Sequence, residues 1–306
     1  ACGCGYQMIT IDRVTKKFKQ VVAVNNVSLE VNQGEIFGLV GPDGAGKTTM
    51  IRMLTGIMEA TSGSIKVLGS SDPEQVKSRF GYVPQKFSLY GDLTVMENIR
   101  VIGSLYGESK ESIAALASEI LGFTNLLPFK DRLADNLSGG MKQKLALAAG
   151  LMHKPEIYFL DEPTTGVDPV SRREFWQMLY KLNKEGTTIF VSTPYMDEAE
   201  FCTRVAFMHN GVITTCDSPQ ALRKKYPYKI IELATPSKDI KRVLASLPIL
   251  DINAFGTKYH LVVEDYEAAV AEVKAALGKA DIPIISLKQI QPNLEDVFVL
   301  LSKEVA

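Results

Sequence analysis

The chain has 306 residues, 34 Lys and Arg against 35 Asp and Glu, a net charge of -1, and a composition 46% hydrophobic and 23% charged. That length supports about two domains with a substantial core, and the charge balance argues against both a disordered chain and a polycationic nucleic-acid binder. No apolar run reaches the roughly 18 residues that a membrane span needs, so the chain is not expected to cross a bilayer by itself.

The first residues lack an initiator Met and the basic and apolar regions of a signal peptide, and 1–7 are expected to form a flexible segment, as in a trimmed fragment. Cys2 and Cys4 make a lone Cys-x-Cys without the second pair that a zinc site usually shows. With Cys202 and Cys216 they are too scattered for a disulfide framework and point to a reducing compartment, the cytosol by default. Next, alternation over Met8 to Val14 and Val21 to Val31 predicts strands, and the apolar run Ile36 to Val40 predicts a buried one. Thr48 to Ile57 has helical spacing, and Gly63 to Val67 and Phe80 to Val83 resemble further strands. From about 86 to 150 the pattern is helical, an all-helical insertion. Strand-like runs return at Ile157 to Leu160, Thr188 to Ser192 and Val205 to His209, with a helix over Ser171 to Glu185 between the first two. Strands alternating with helices imply a largely parallel sheet buried on both faces. Beyond Lys225 the character changes. Tyr228 to Leu233, His260 to Val263 and Ile282 to Ile290 predict strands, and Lys238 to Leu247 and Tyr266 to Leu277 predict helices, a small α+β module.

Gly41-Pro42-Asp43-Gly44-Ala45-Gly46-Lys47-Thr48-Thr49 fits G-x-x-x-x-G-K-[ST] between a predicted strand and a predicted helix, the context this motif requires. Glycines let backbone N–H groups turn around phosphate oxygens, the helix N-terminus adds a positive dipole end, and Lys47 can reach β/γ oxygens. Thr48 can offer a hydroxyl to Mg²⁺. Downstream, the strand Ile157 to Leu160 ends in Asp161-Glu162-Pro163. In a parallel sheet, ligand groups gather at strand C-terminal ends, so Asp161 can approach the metal beside Thr48. Glu162, projecting differently at the turn, can orient a water for attack on a γ-phosphate.

Leu137-Ser138-Gly139-Gly140-Met141-Lys142-Gln143 precedes a long helical run, with Ser138 a competent helix cap. Together with the phosphate cradle, Asp161-Glu162 and Gln85 in Tyr82-Val83-Pro84-Gln85, this order of motifs closely resembles the nucleotide-binding subunit of an ATP-binding cassette transporter, over about residues 8 to 220. The resemblance implies a P-loop NTPase (RecA-like) core with an antiparallel β subdomain and a helical insertion, followed by the α+β module. The corresponding limits are 8–225 for the ATPase domain and 226–306 for the accessory domain. It implies ATP and Mg²⁺ as cofactors, with Thr48, Gln85 and Asp161 at the metal and Lys47, Gln85 and Glu162 in catalysis. Phe18 matches the aromatic that stacks on adenine, the competing reading being a core Phe. Ser138, Gly139 and Gly140 match the signature that contacts the γ-phosphate held by an opposite subunit, hence a head-to-tail pair. Asp168, in Thr165-Gly166-Val167-Asp168, matches a residue at the dimer seam, although a plain turn Asp is a common alternative.

One departure stands out. In Val191-Ser192-Thr193-Pro194-Tyr195 the resemblance ordinarily has histidine where Pro194 stands, and the three histidines, at 153, 209 and 260, lie elsewhere. Proline has neither an imidazole nor a backbone N–H to donate, so hydrolysis at the chain's own site is expected to be slow while its signature could complete a partner's site. Asp43 is a smaller departure, standing where Asn is often found.

The expected partners are a second nucleotide-binding domain, as a homodimer or an asymmetric pair, and a separate integral-membrane permease; no nucleic acid is expected. Phe87, Leu89 and Tyr90 are candidate contacts for a coupling helix, with local packing the alternative. Pro292 to Phe298 resembles the ending of bacterial exporter cassettes. The resulting expectation is a transport-coupled ATPase of exporter type on the cytoplasmic face of the inner or plasma membrane. A soluble ABC ATPase and a regulatory ATP-binding protein are the alternatives.

Overall fold

The computed structural model describes residues 6–107 and 109–304. Cys2, Cys4 and most of the expected N-terminal segment therefore lie outside the described residues. Contacts divide the chain into two compact units that meet after Pro219, ahead of the boundary at 225 expected from the change in composition.

In the first unit β1 (Gln7–Phe18) and β2 (Val21–Asn32) form an antiparallel hairpin, β3 (Ile36–Val40) leads into α1 (Lys47–Leu54), and β4 (Ser62–Val67) returns to pair with β1. β5 (Phe80–Val83) precedes the helical insertion, made of α2 (Val95–Leu105), α3 (Lys110–Phe123) and α4 (Gly139–Leu151). Then follow β6 (Ile157–Asp161), α5 (Pro169–Lys184), β7 (Thr188–Thr193), α6 (Met196–Ala199), β8 (Arg204–His209) and β9 (Val212–Asp217). One sheet has the order β2-β1-β4, the antiparallel subdomain; the other runs β5-β6-β7-β3-β8-β9 and is parallel except for β9. Every residue of β3, β6 and β7 is buried, as a sheet covered on both faces demands. Phe37, Phe190 and Phe159 carry the contact across these strands, at ring-centroid distances of 5.4 and 5.8 Å. Each such buried side chain contributes on the order of 1.5–3 kcal/mol.

Asn98 of α2 is fully buried. Its Oδ1 accepts from the Tyr90 N–H at 2.9 Å, and its Nδ2 donates to the carbonyls of Tyr90, Leu93 and Thr94. The same helix opens with a capping box between Thr94 and Glu97, which satisfies backbone donors that would otherwise be orphaned. The segment entering the helical insertion is thus tied at several points to the helix that follows it.

The linking helix α7 (Pro219–Lys225) leads into the second unit: β10 (Lys229–Ala234), α8 (Ile240–Val243), β11 (Asp251–Phe255), β12 (Lys258–Val263), α9 (Tyr266–Lys279), β13 (Ser286–Ile290) and α10 (Leu294–Glu304). Its antiparallel sheet has the order β11-β12-β10-β13. Ala269, Val273 and Leu277 of α9 share a core with Ile231, Leu233, Leu261 and Val263. Two expectations need correction. The helix expected over 238–247 shrinks to α8, because Pro248 disfavours helical backbone at the residue before it. The strand expected from 282 begins only at 286, since Pro283 cannot donate to a ladder.

Candidate functional site

Register brings the site together. Val40 pairs with Thr193 and Ser192 with Asp161, so β3, β7 and β6 end level with one another. From β3 the chain turns through 41–46 into α1, whose N-cap, Gly46, has φ 107°. A Cβ there would stand 2.3 Å from the Ala23 carbonyl oxygen; the backbone conformation and the close approach both require glycine. Lys47 is 3% exposed. Its Nζ donates to the carbonyls of Gly41 (2.8 Å) and Pro42 (3.0 Å) and lies 3.0 Å from Glu162 Oε1. The lysine is turned back on the loop and on the second carboxylate.

Asp161 is 1% exposed and accepts from Thr48 Oγ1 at 3.1 Å and Ser192 Oγ at 2.7 Å. Burial pushes its carboxyl above the usual range despite those two donors. A divalent cation beside it would reverse that balance, and Thr48 supplies a second hard oxygen at the same spot. The donor set therefore fits Mg²⁺, which takes one or two protein oxygens plus phosphate and water. Glu162 has φ 48°, a left-handed conformation uncommon outside glycine, and its N–H donates to the Ser192 carbonyl and hydroxyl. That turn separates its carboxylate from Asp161's path along the strand. Oε2 accepts from Gln85 Nε2 at 2.9 Å and from Thr165 Oγ1 at 3.4 Å. Lys47, Thr48, Gln85, Asp161 and Glu162 therefore form one connected group.

Ser192 belongs in that group, and the sequence reading gave it no role. Its position as a hydroxyl near the end of a buried strand two residues before Pro194 was the available signal. At Pro194 itself there is no side-chain donor. The neighbouring Thr193 hydroxyl donates to Glu198 Oε2 (2.6 Å) and accepts from the Tyr195 N–H (3.1 Å). Glu198, fully buried, also takes the Thr164 hydroxyl at 2.5 Å and lies 3.5 Å from Arg172 Nε, and Arg172 stacks over the Tyr195 ring at 4.2 Å. Thr193 is thus engaged both with Glu198 and with the Tyr195 N–H.

A second group forms where α4 meets α5. Ser138 caps α4 through its bond from the Met141 N–H, and Asp168 caps α5, accepting from the N–H groups of Ser171 and Val170. The Ser171 N–H, foremost, holds the Asp168 carboxyl below its usual range. A Cβ on Gly140 would meet Ser171 Cβ at 2.6 Å, so glycine lets these two helix starts touch. Ser138, Gly139 and Asp168 are exposed. Phe18 is 42% exposed with Lys16 Nζ 5.2 Å above its ring, which rules out a core role. Tyr90 is 51% exposed, while Phe87 and Leu89 are half-buried.

Residues 24–165 match the family described as ABC transporter, and residues 218–301 match that of ATP-binding protein DrrA1-3-like, C-terminal domain. The probable multidrug ABC transporter ATP-binding protein YbhF of Escherichia coli is 39% identical over 302 residues, 95% of this chain and 51% of that protein. The chain thus spans about half the length of this relative. The Nod factor export ATP-binding protein I of Burkholderia lata is 35% identical, covering 96% of each chain. Among solved structures, a dimeric ATP-binding cassette in a post-hydrolysis state with ADP and Pi superposes with a TM-score of 0.63 at 28% identity, covering 69% of this chain and 98% of that one.

Proposed function

Because the chain belongs to the ABC transporter family of ATP-binding proteins, we propose that it binds Mg-ATP in the 41–49 cradle and couples dimer closure and hydrolysis to export through a separate membrane permease. The observation that carries this reading is the connected group Lys47, Thr48, Gln85, Asp161 and Glu162 at the level ends of three parallel strands. ATP phosphates entering the loop would draw Lys47 Nζ away from Glu162 and from the Gly41 and Pro42 carbonyls. Glu162, so released and still held by Gln85, would orient the attacking water. Mg²⁺, when bound by Thr48 and Asp161 with Gln85 near, supplies charge neutralisation at the phosphates. Phe18, open to solvent, would stack on adenine.

In the same reading the exposed Ser138-Gly139 helix start, with Asp168 beside it, would face ATP held by a second cassette, in a homodimer or an asymmetric pair. Domain limits of 8–225 and 226–306 go with it, as does a peripheral place on the cytoplasmic membrane face. The test is purification from native membranes followed by reconstitution. A copurifying multi-span protein that raises ATP turnover severalfold is the expected result; turnover indifferent to any membrane subunit would return the chain to a soluble ATPase.

Pro194 favours a slow own site. Single-turnover hydrolysis by the purified dimer is expected to rise about 10- to 100-fold on Pro194→His, the effect of a charge-assisted hydrogen bond of roughly 1.5–3 kcal/mol made in the transition state. Equal rates before and after would remove the impaired-site reading.

A further inference from the structure

We propose that the C-terminal unit holds a binding site for a small methylated ammonium ion, a ligand class distinct from the nucleotide. A cavity of about 110 Å³ is lined there by Tyr226, Tyr228, Leu250, Asp251, Val262 and Asp296, among others. The two tyrosine rings meet edge to face, 5.8 Å apart and at 84°, so that they form a corner and not a flat stack. Leu250 and Val262 are joined by a backbone hydrogen bond of 2.9 Å and supply apolar wall. Asp296, near the start of α10, is 4% exposed and still lines the cavity.

The chemistry of these walls selects the ligand. Aromatic faces attract a cation whose charge is spread over methyl groups, and such a head group also needs apolar contact. Both carboxylates bring charge while much of their directional capacity is taken. Asp296 Oδ2 accepts from the Asn293 N–H at 2.9 Å, and its Oδ1 lies 3.7 Å from His260 Nδ1. Asp251 accepts from the Ile252 N–H at 3.0 Å and from Asn253 Nδ2 at 3.3 Å. A hard metal ion wants about six oxygens in directed geometry, water included, whereas a quaternary ammonium has no N–H and needs no directed acceptor at all. Size agrees: at roughly 30 Å³ per water the space holds three or four waters, the bulk of one such head group and far less than a drug-sized body. The Tyr226 hydroxyl is pushed up to about 12, first by burial and then by the charges of Asp296 and Asp251.

Choline chloride titrated calorimetrically into the full chain, against matched NaCl, is the experiment. Saturable binding is expected. Its uncharged carbon isostere, 3,3-dimethylbutan-1-ol, should bind at least tenfold more weakly, and Asp296→Asn should weaken choline by a similar factor, which corresponds to about 1.4 kcal/mol. Should Asp296→Asn not fold, Tyr228→Leu serves, with the same tenfold loss expected from removing one ring of the corner. The proposal is overturned if choline does not saturate, if the isostere binds equally well, if the folded variant binds choline unchanged, or if MgCl₂ alone binds and excludes choline.

Discussion

Glu162→Gln is expected to lower steady-state ATP hydrolysis by about 10²–10⁴-fold, the range for loss of a positioned general base, while tightening Mg-ATP binding. The two effects have separate causes. Loss of rate follows from the carboxylate that would orient water; the gain in affinity follows from the ion pair that Glu162 makes with Lys47 at 3.0 Å, in which both side chains are almost fully buried. In the native chain ATP bound at Lys47 would have to break that pair. In the variant the ion pair is lost and Lys47 Nζ is held by neutral acceptors alone, the carbonyls of Gly41 and Pro42 and the new amide oxygen. Rapid-quench hydrolysis and calorimetric ATP binding on one preparation would check this, and a variant with unchanged affinity would argue that the pair does not oppose nucleotide entry.

Lys47→Ala breaks the same pair from the other side, and its consequences should point the other way for ligand. Mg-ATP affinity is expected to fall by about 10²–10⁴-fold, the loss of two charge-assisted bonds of roughly 1.5–3 kcal/mol each to phosphate oxygens. The empty protein should also become less stable. A buried carboxylate stripped of its partner costs at most about 3–5 kcal/mol, moderated here by the Gln85 and Thr165 donors that remain on Glu162. In a domain of this size that is a fall in melting temperature of several degrees. Thermal melts with and without Mg-ATP should therefore show a lower baseline and almost no ligand-induced rise. A rise equal to that of the native chain would show that the 41–49 loop is not where ATP binds.

Much of this candidate site is legible in the sequence, because strict spacing encodes backbone geometry. The cradle needs its glycines and lysine at fixed intervals, and Asp161 is fixed by the strand that ends in it. What spacing does not encode is which strands end level with each other. β7 lies between β3 and β6, so Ser192 meets Asp161 only through inter-strand register, which no local pattern carries. The side-chain direction of Glu162 is of the same kind: its left-handed backbone is enforced by the turn after β6 and by bonds to β7. β9 and α10 are different, since local signals were present. Asn210-Gly211 stands at the tight turn before β9, with φ positive at both residues, a strong hairpin signal. Asn293 and Asp296 cap α10 reciprocally through each other's N–H groups. The short α8 shows one proline outweighing helical periodicity.

Asn98 has a mechanical consequence. A buried amide that grips the Tyr90 backbone on both its N–H and C=O leaves no slack between the half-exposed tyrosine and the helix beginning at Val95. Any force delivered to that ring from outside would pass into α2 as torque instead of dissipating in a compliant loop, and Asn98→Ala would turn a stiff lever into a loose joint.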